Sequence, residues 1–159
     1  MEQLAALDSK LLRALVKNAR ASWAELALLI GYSPPAAADR VHRLQERGII
    51  LGYSARIDPE QSGYPLTAFV SVILERPSRR ADFLKQILKM ERVLEVHHTA
   101  GNEDYLLKVV SASTRDLDHF LNEVLKSIPG LARTRTTIVL ATTKDTPLLP
   151  PQKTSLDSR

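Results

Sequence analysis

Between Thr67 and Leu140 the hydrophobic pattern switches between the two-residue period of strands and the 3.6-residue period of helices, in an order that admits few folds. TAFVSVIL (67–74) reads as a strand. Ser78 is placed to cap a helix carrying Phe83, Leu84, Ile87 and Leu88 inward. VLEVHHTA (93–100) and YLLKVV (105–110) are two further strands, joined by a GNED turn. Ser113 and Asp116 open a second helix with Leu117, Phe120, Leu121, Val124 and Leu125 inward, stopped by Pro129-Gly130, and RTRTTIVL (133–140) is the last strand. The order βαββαβ is that of a ferredoxin-like unit, a four-stranded antiparallel sheet with both helices on one face. Its other face needs a cover too, because Phe69 and Ile73 alternate with Val70 and Val72, as Leu106 and Val110 do with Leu107 and Val109. A second copy's sheet is the natural cover, which predicts an obligate homodimer.

The first third of the chain is helical and punctuated. Asp8 is placed to cap a helix with Leu11, Leu12, Leu15 and Val16 on one side, ending near Asn18. Ser22 and Glu25 form a capping box that opens a second helix, with Leu26, Leu29 and Ile30 inward and Gly31 as its stop. Ser33 caps a third, Pro34 occupies the first helical position, and Gly48 ends it. After Gly48 the pattern turns strand-like: IIL, then Gly52, then YSARI, closed by Asp58-Pro59. Three short helices and a small hairpin outline a winged helix-turn-helix. The expected fold is therefore α+β. A winged helix-turn-helix spans 1–58, a linker 59–65, the ferredoxin-like oligomerisation domain 66–144, and an extended or disordered tail 145–159.

Composition excludes several functions. With no cysteine in 159 residues there is no disulfide framework, no thiolate nucleophile and no cysteine-based zinc site. No apolar run approaches the roughly 20 residues of a membrane span, and the N-terminus lacks signal-peptide order, so a cytoplasmic protein without a membrane partner is expected. The net charge of +4 suggests an anionic partner, yet residues 1–60 hold eight Lys or Arg against seven Asp or Glu. A basic signal there has to come from arrangement.

The third helix supplies such an arrangement. Around its axis Pro34, Ala37, Ala38, Val41 and Leu44 gather on one side and Ala36, Arg40, Arg43 and Arg47 on the other, with Asp39, His42 and Glu46 to the flank. Small residues at 33–38 make a slim tip that lets the backbone approach base edges in the major groove of double-stranded DNA, and free N–H groups there attract phosphate. Arg40 and Arg43 are placed to reach guanines or phosphates, and Arg47 backbone phosphate. The candidate DNA contacts are Ser33, Pro35, Ala36, Asp39, Arg40, Arg43 and Arg47, with Arg20 and Ser22 ahead of the second helix. On residue types alone, a solvated helix whose arginines pair with Asp39 and Glu46 explains the pattern equally well.

GYSPPAAADRVHRLQERGIILGYSARIDP resembles the recognition helix and wing of the Lrp/AsnC (feast/famine) transcriptional regulators, with their G-L-S-x-x-x-x-x-R-V-x-R-L-x-x-x-G-x-I-x-G-Y-x-A-x-x-x-P pattern. Tyr32 stands where the family usually has Leu. AGNEDYLLKV is similar to the family's T-G-x-x-D-Y-L-L-x-V turn, with Ala100 before the glycine, and RTRTTIVL to its final T-R-T strand. The resemblance spans about residues 4–143. It implies a DNA-binding regulator, a small amino acid or related metabolite bound at this turn between dimers, and dimers assembling further into octamers.

On residue types alone, GNEDY is a hairpin turn in which Gly101 permits a positive φ. With the resemblance, Ala100, Gly101, Asn102, Glu103 and Asp104 become candidate effector contacts. Asp104 or Glu103 would accept from an α-ammonium, and amides near Gly101 would hold an α-carboxylate. Thr134 and Thr136 would add hydroxyl contacts from the same or a neighbouring dimer. His97 and His98 are adjacent on a strand and point to opposite faces, so they do not chelate one ion. No metal site, cofactor or catalytic residue is expected. Two rival functions share the outline: a haem-pathway decarboxylase of similar architecture, against which stands the lack of any nucleophile–base pair, and an architectural protein that coats DNA without sequence choice.

Overall fold

The structure, a computed structural model, describes residues 5–147. The proposed tail beyond residue 147 lies outside the described residues. The chain divides into two compact units, Ile57–Thr143 and the chain up to Arg56 together with that from Lys144.

Three helices build the first unit: α1 (Ala6–Lys17), α2 (Trp23–Ile30) and α3 (Pro34–Glu46). Their inner faces supply Leu11, Leu15, Leu26, Ala27, Ile30, Ala37 and Val41, with Ile50 packed against them. The capping box at α2 forms as expected: Ser22 Oγ accepts from the Glu25 amide at 3.2 Å, and the Ser22 amide donates to Glu25 Oε2 at 2.7 Å. Gly31 then leaves the helix at φ +74°, a left-handed conformation.

Other local readings are corrected. Asp8 is not a cap: Ala5 is the N-cap residue, and Asp8 lies buried inside the first turn of α1. Ser33 is the N-cap of α3 but its side chain makes no capping hydrogen bond; Pro34 and Pro35 leave Ala36, three residues on, as the first amide it could accept from. Leu29 is 47% exposed; the buried side of α2 is Leu26, Ala27 and Ile30. The wing is absent: residues 51–58 form no strand, and Leu51 and Ile57 are exposed. A lone two-stranded hairpin is marginal without a third strand or an apolar face to pack on. The stretch around Asp58 is a compact turn, with Asp58 Oδ1 accepting from the Glu60 amide at 2.9 Å and Pro59 O from the Tyr64 amide at 2.7 Å.

The second unit is an antiparallel sheet of β1 (Leu66–Leu74), β2 (Val93–His98), β3 (Tyr105–Ser111) and β4 (Leu131–Ile138), in spatial order β2-β3-β1-β4. Between the strands run α4 (Arg80–Ile87) and α5 (Thr114–His119). The order is the ferredoxin-like one expected. Ala68, Val70, Val72, Leu107 and Val109 are buried with Phe83, Ile87, Leu117, Phe120 and Leu125 from the helices. Ser113 caps α5 by accepting from the Asp116 amide. Ser78 caps nothing; it sits inside a 3-10 turn, Pro77–Arg79, that leads into α4, and Leu88 is exposed. Beyond α5 the chain continues as a π-helical turn, Phe120–Leu125. Its wider turn carries Phe120 and Leu125 into one core, whereas a 3.6-residue turn separates positions five apart by about 140°.

On the face without helices, Phe69, Ile73 and Leu106 are half-buried and interleaved with Ser71 and Lys108, while Val110 is already buried. This face is amphipathic rather than wholly apolar. It holds a three-way polar contact, Glu95 accepting from Lys108 Nζ and meeting His97 Nε2, each at 2.9 Å.

Asp116 accepts from Arg92 at 2.7 Å and from the Ala112 amide at 3.0 Å. The Arg92 hydrogen bond, then the amide, hold its carboxyl below the usual range, and Lys108 does the same for Glu95. Such groups bind fewer protons folded than unfolded, so their contribution is complete above the unfolded-state value, near 4, and is lost as pH falls through the lower folded value. Urea titrations between about pH 7 and about pH 3 are expected to show stability falling, with a shallower fall in Asp116→Asn. An equal slope in the variant would remove Asp116 from the explanation.

No helix among the described residues is long and apolar enough to cross a membrane.

Candidate DNA-binding and effector sites

Helix α3 is held against α1 and α2 by Ala37, Val41 and Leu44, all essentially fully buried, which fixes the side it turns outward. Pro35, Asp39, His42, Arg43, Glu46 and Arg47 are exposed, and Ala36 is half-buried. Arg40 is the correction to the arginine row. Its Nε donates to Asp8 Oδ1 of α1 at 2.5 Å, with 27% of the Arg40 side chain and 9% of the Asp8 side chain exposed. On the helical wheel Arg40 lies only about 40° from Leu44 and about 60° from Ala37, close enough to the buried side to reach inward. Asp8 was missed as its partner.

The outward face is therefore mixed rather than a cationic ridge, because Asp39 and Glu46 share it with Arg43 and Arg47. Asp39 and Arg43 form an exposed i,i+4 pair at 2.6 Å, which orients the guanidinium and adds little stability. His42 stands against Trp23 of α2, ring centroids 6.0 Å apart. The tip is slim, as expected, but Pro34 and Pro35 remove two of the donors a helix N-terminus would offer to phosphate. Arg20 and Ser22 lie exposed just before α2.

In the second unit the β2–β3 turn is tied to β1. The Asp104 amide donates to Val72 O at 2.9 Å and its Oδ2 accepts from the Leu74 amide at 2.7 Å. Asp104 thus fastens the turn to the sheet through one oxygen of its carboxylate. Thr99 closes the loop, its Oγ1 donating to Glu103 O at 2.6 Å. Gly101 has no positive φ and nothing within 4 Å of a built Cβ, so neither strain nor crowding demands glycine there.

Beside this turn lies a cleft of about 190 Å³ lined by Ser71, Ile73, Asn102, Glu103, Arg133, Thr134 and Arg135. The strand register creates it by setting Arg135 opposite Ser71 and Arg133 opposite Ile73 on the helix-free face. Glu103 Oε1 accepts from Arg135 Nη2 at 2.7 Å across it. Of the expected effector residues, Asn102, Glu103 and Thr134 are gathered here. Ala100, Gly101 and Asp104 lie outside the lining, and Thr136 sits opposite Val70 on the helix-bearing face. Arg133, Arg135, Ser71 and Ile73 were missed; the alternation in RTRT puts the two arginines on one face, but their partners follow only from the register.

His97 and His98 lie on opposite faces, His97 against Glu95 and His98 beside the Tyr105 ring at 5.2 Å. Among the described residues no three metal-ligating side chains converge.

Residues 4–45 match the AsnC-type helix-turn-helix domain and residues 67–149 the Lrp/AsnC ligand binding domain. The chain is 40% identical to the HTH-type transcriptional regulator LrpA of Mycobacterium tuberculosis over 89% of its own length and 93% of the relative's. It superimposes with a TM-score of 0.89 on a transcriptional regulator of Neisseria meningitidis in complex with L-methionine, at 30% identity, covering 93% of this chain and 97% of that one. A feast or famine regulatory protein of M. tuberculosis complexed with L-methionine gives a TM-score of 0.81 at 39% identity, covering 87% and 93%. These relatives are transcriptional regulators, not enzymes.

Proposed function

Since the chain belongs to the Lrp/AsnC family of DNA-binding transcriptional regulators, we propose that it reads a specific operator through α3 and answers to a small amino acid or related metabolite held at the β2–β3 turn. The observation that carries the DNA reading is the outward face of α3: a slim Pro35-Ala36 tip followed by Arg43 and Arg47, on a helix locked to α1 through Arg40 and Asp8. Asp39 and Glu46 on that face favour base reading over sequence-independent coating, which depends on accumulated positive charge.

Dimers pairing through the helix-free sheet face would present two recognition helices to half-sites about one helical turn, or a multiple, apart. Effector bound where dimers meet would bias their further assembly, or the spacing of the reading heads, by its differential affinity for the two states. Phe69→Glu places a charge at the middle of the helix-free face without touching the helix-side core. It is expected to dissociate the dimer into folded monomers at micromolar concentration in analytical ultracentrifugation; an unchanged dimer would move the interface elsewhere.

Operator affinity measured with and without each of the twenty amino acids, with size-exclusion chromatography in parallel, tests the effector reading. At least one amino acid is expected to change affinity or assembly by about fivefold or more. If none changes either quantity, regulation by an amino acid is wrong.

A further inference from the structure

Resting on the effector reading above, we propose that the cleft beside the β2–β3 turn is selective for an amino acid bearing a second carboxylate, of the size of aspartate or glutamate, and that Arg133 reads the side-chain acid. The cleft's charges do not cancel. Glu103 and Arg135 neutralise one another at 2.7 Å, whereas Arg133 has no hydrogen-bond or ion-pair partner among the described residues. One guanidinium is therefore left unneutralised within the protomer, on the edge strand β4 at the margin of the helix-free face, where an incoming anion would meet it.

Its position suits the task. Arg133 and Arg135 are two residues apart on β4, on the same face of the sheet, which spaces them about 7 Å along the strand. The Glu103–Arg135 pair already offers complementary groups for a zwitterion, the carboxylate for an α-ammonium and the guanidinium for an α-carboxylate. Arg133 then lies further along the strand, where the side chain of the same ligand would extend. Ile73 is the one aliphatic residue of the lining, and Ser71 and Asn102 are polar, so a long apolar side chain finds little surface to bury. At about 190 Å³ the cleft is smaller than the roughly 300 Å³ at which drug-sized pockets begin, which restricts the occupant to a small molecule. A bidentate guanidinium–carboxylate contact distinguishes an acid from its amide, since the amide loses the charge assistance.

Titration calorimetry on the full chain with L-aspartate, L-glutamate, L-asparagine, L-glutamine and L-methionine tests this. At least one acid is expected to bind about tenfold or more tightly than its own amide. Arg133→Gln is expected to bring that ratio to about one, and Arg133→Lys to retain part of the preference. Arg133 is exposed on an edge strand, and matching melting temperatures would show that both variants fold. Equal affinity for acid and amide, or a preference that survives Arg133→Gln, overturns the proposal and leaves amino-acid regulation standing. Failure of both acids to bind likewise overturns the proposal, whereas no effect from any of the twenty amino acids in the operator and assembly measurements would overturn the effector reading itself.

Discussion

Asp8→Ala is expected to destabilise the three-helix unit by about 3–5 kcal/mol, because it strands a guanidinium that α3 aims into the core edge. The Asp8 side chain is 9% exposed and receives Arg40 Nε at 2.5 Å from a helix 32 positions away in sequence. Such a pair adds little net stability compared with two apolar residues, but losing one member leaves the other charged and poorly solvated. Arg40→Ala should cost a similar amount, since it leaves the Asp8 carboxylate, the more buried of the two with its side chain 9% exposed, without its partner. A double replacement, Asp8→Leu with Arg40→Met, should recover much of the loss, which makes the coupling measurable as a double-mutant cycle. Trp23 is the chain's single tryptophan and lies in this unit, so its fluorescence in urea follows the helices without interference from the sheet unit. A loss below about 1 kcal/mol for Asp8→Ala would show that the pair behaves as an exposed one. Against a typical total of about 5–15 kcal/mol, a loss of 3–5 kcal/mol would leave a substantial fraction of the reading heads unfolded in warm solution.

What the sequence made legible divides along the range of the forces involved. The Ser22–Glu25 box and the Ser113–Asp116 cap close within three residues and form as their spacing requires. Strand order follows from the hydrophobic period together with the small menu of βαββαβ topologies. Ser33 is the N-cap residue its position predicts, yet its side chain makes no capping hydrogen bond, which nothing in the spacing explains. The remaining corrections are non-local. Nothing in the spacing of α3 announces that Arg40 meets an acid of α1, only that it stands near the border of the buried side. In the same way, the pairing of Arg135 with Glu103 needs the register that brings β4 beside β1 and the turn beside both. The turn's sequence shows that Asp104 carries a charge, but its hydrogen bond to the Leu74 amide depends on a strand 30 positions earlier. The wing, read from a strand-like pattern, lacks a neighbour to complete its hydrogen bonds.

The two arginines left facing outward carry the other large effect. Arg43→Ala is expected to weaken operator binding by about 1–3 kcal/mol, roughly five- to 150-fold, and to relax selectivity at one base-pair position. Arg47 lies a turn further from the helix tip, so Arg47→Ala should weaken operator and unrelated DNA alike and lower the magnitude of the salt slope by about one. Both side chains are exposed and neither fills the helical core, so melting temperatures should stay near the parent value, in contrast to Asp8→Ala. The separation matters because loss of binding by Arg40→Ala says nothing about contact with DNA: a tilted or frayed α3 would lose its operator with every base contact still available in principle. Binding and unfolding measured on the same four single variants distinguish a residue that reads the duplex from one that aims the helix. If Arg43→Ala and Arg47→Ala together leave operator affinity within about twofold of the parent, α3 does not enter the groove by this face. The DNA-reading surface would then have to be sought on α2 and the residues ahead of it, beginning with Arg20 and Ser22.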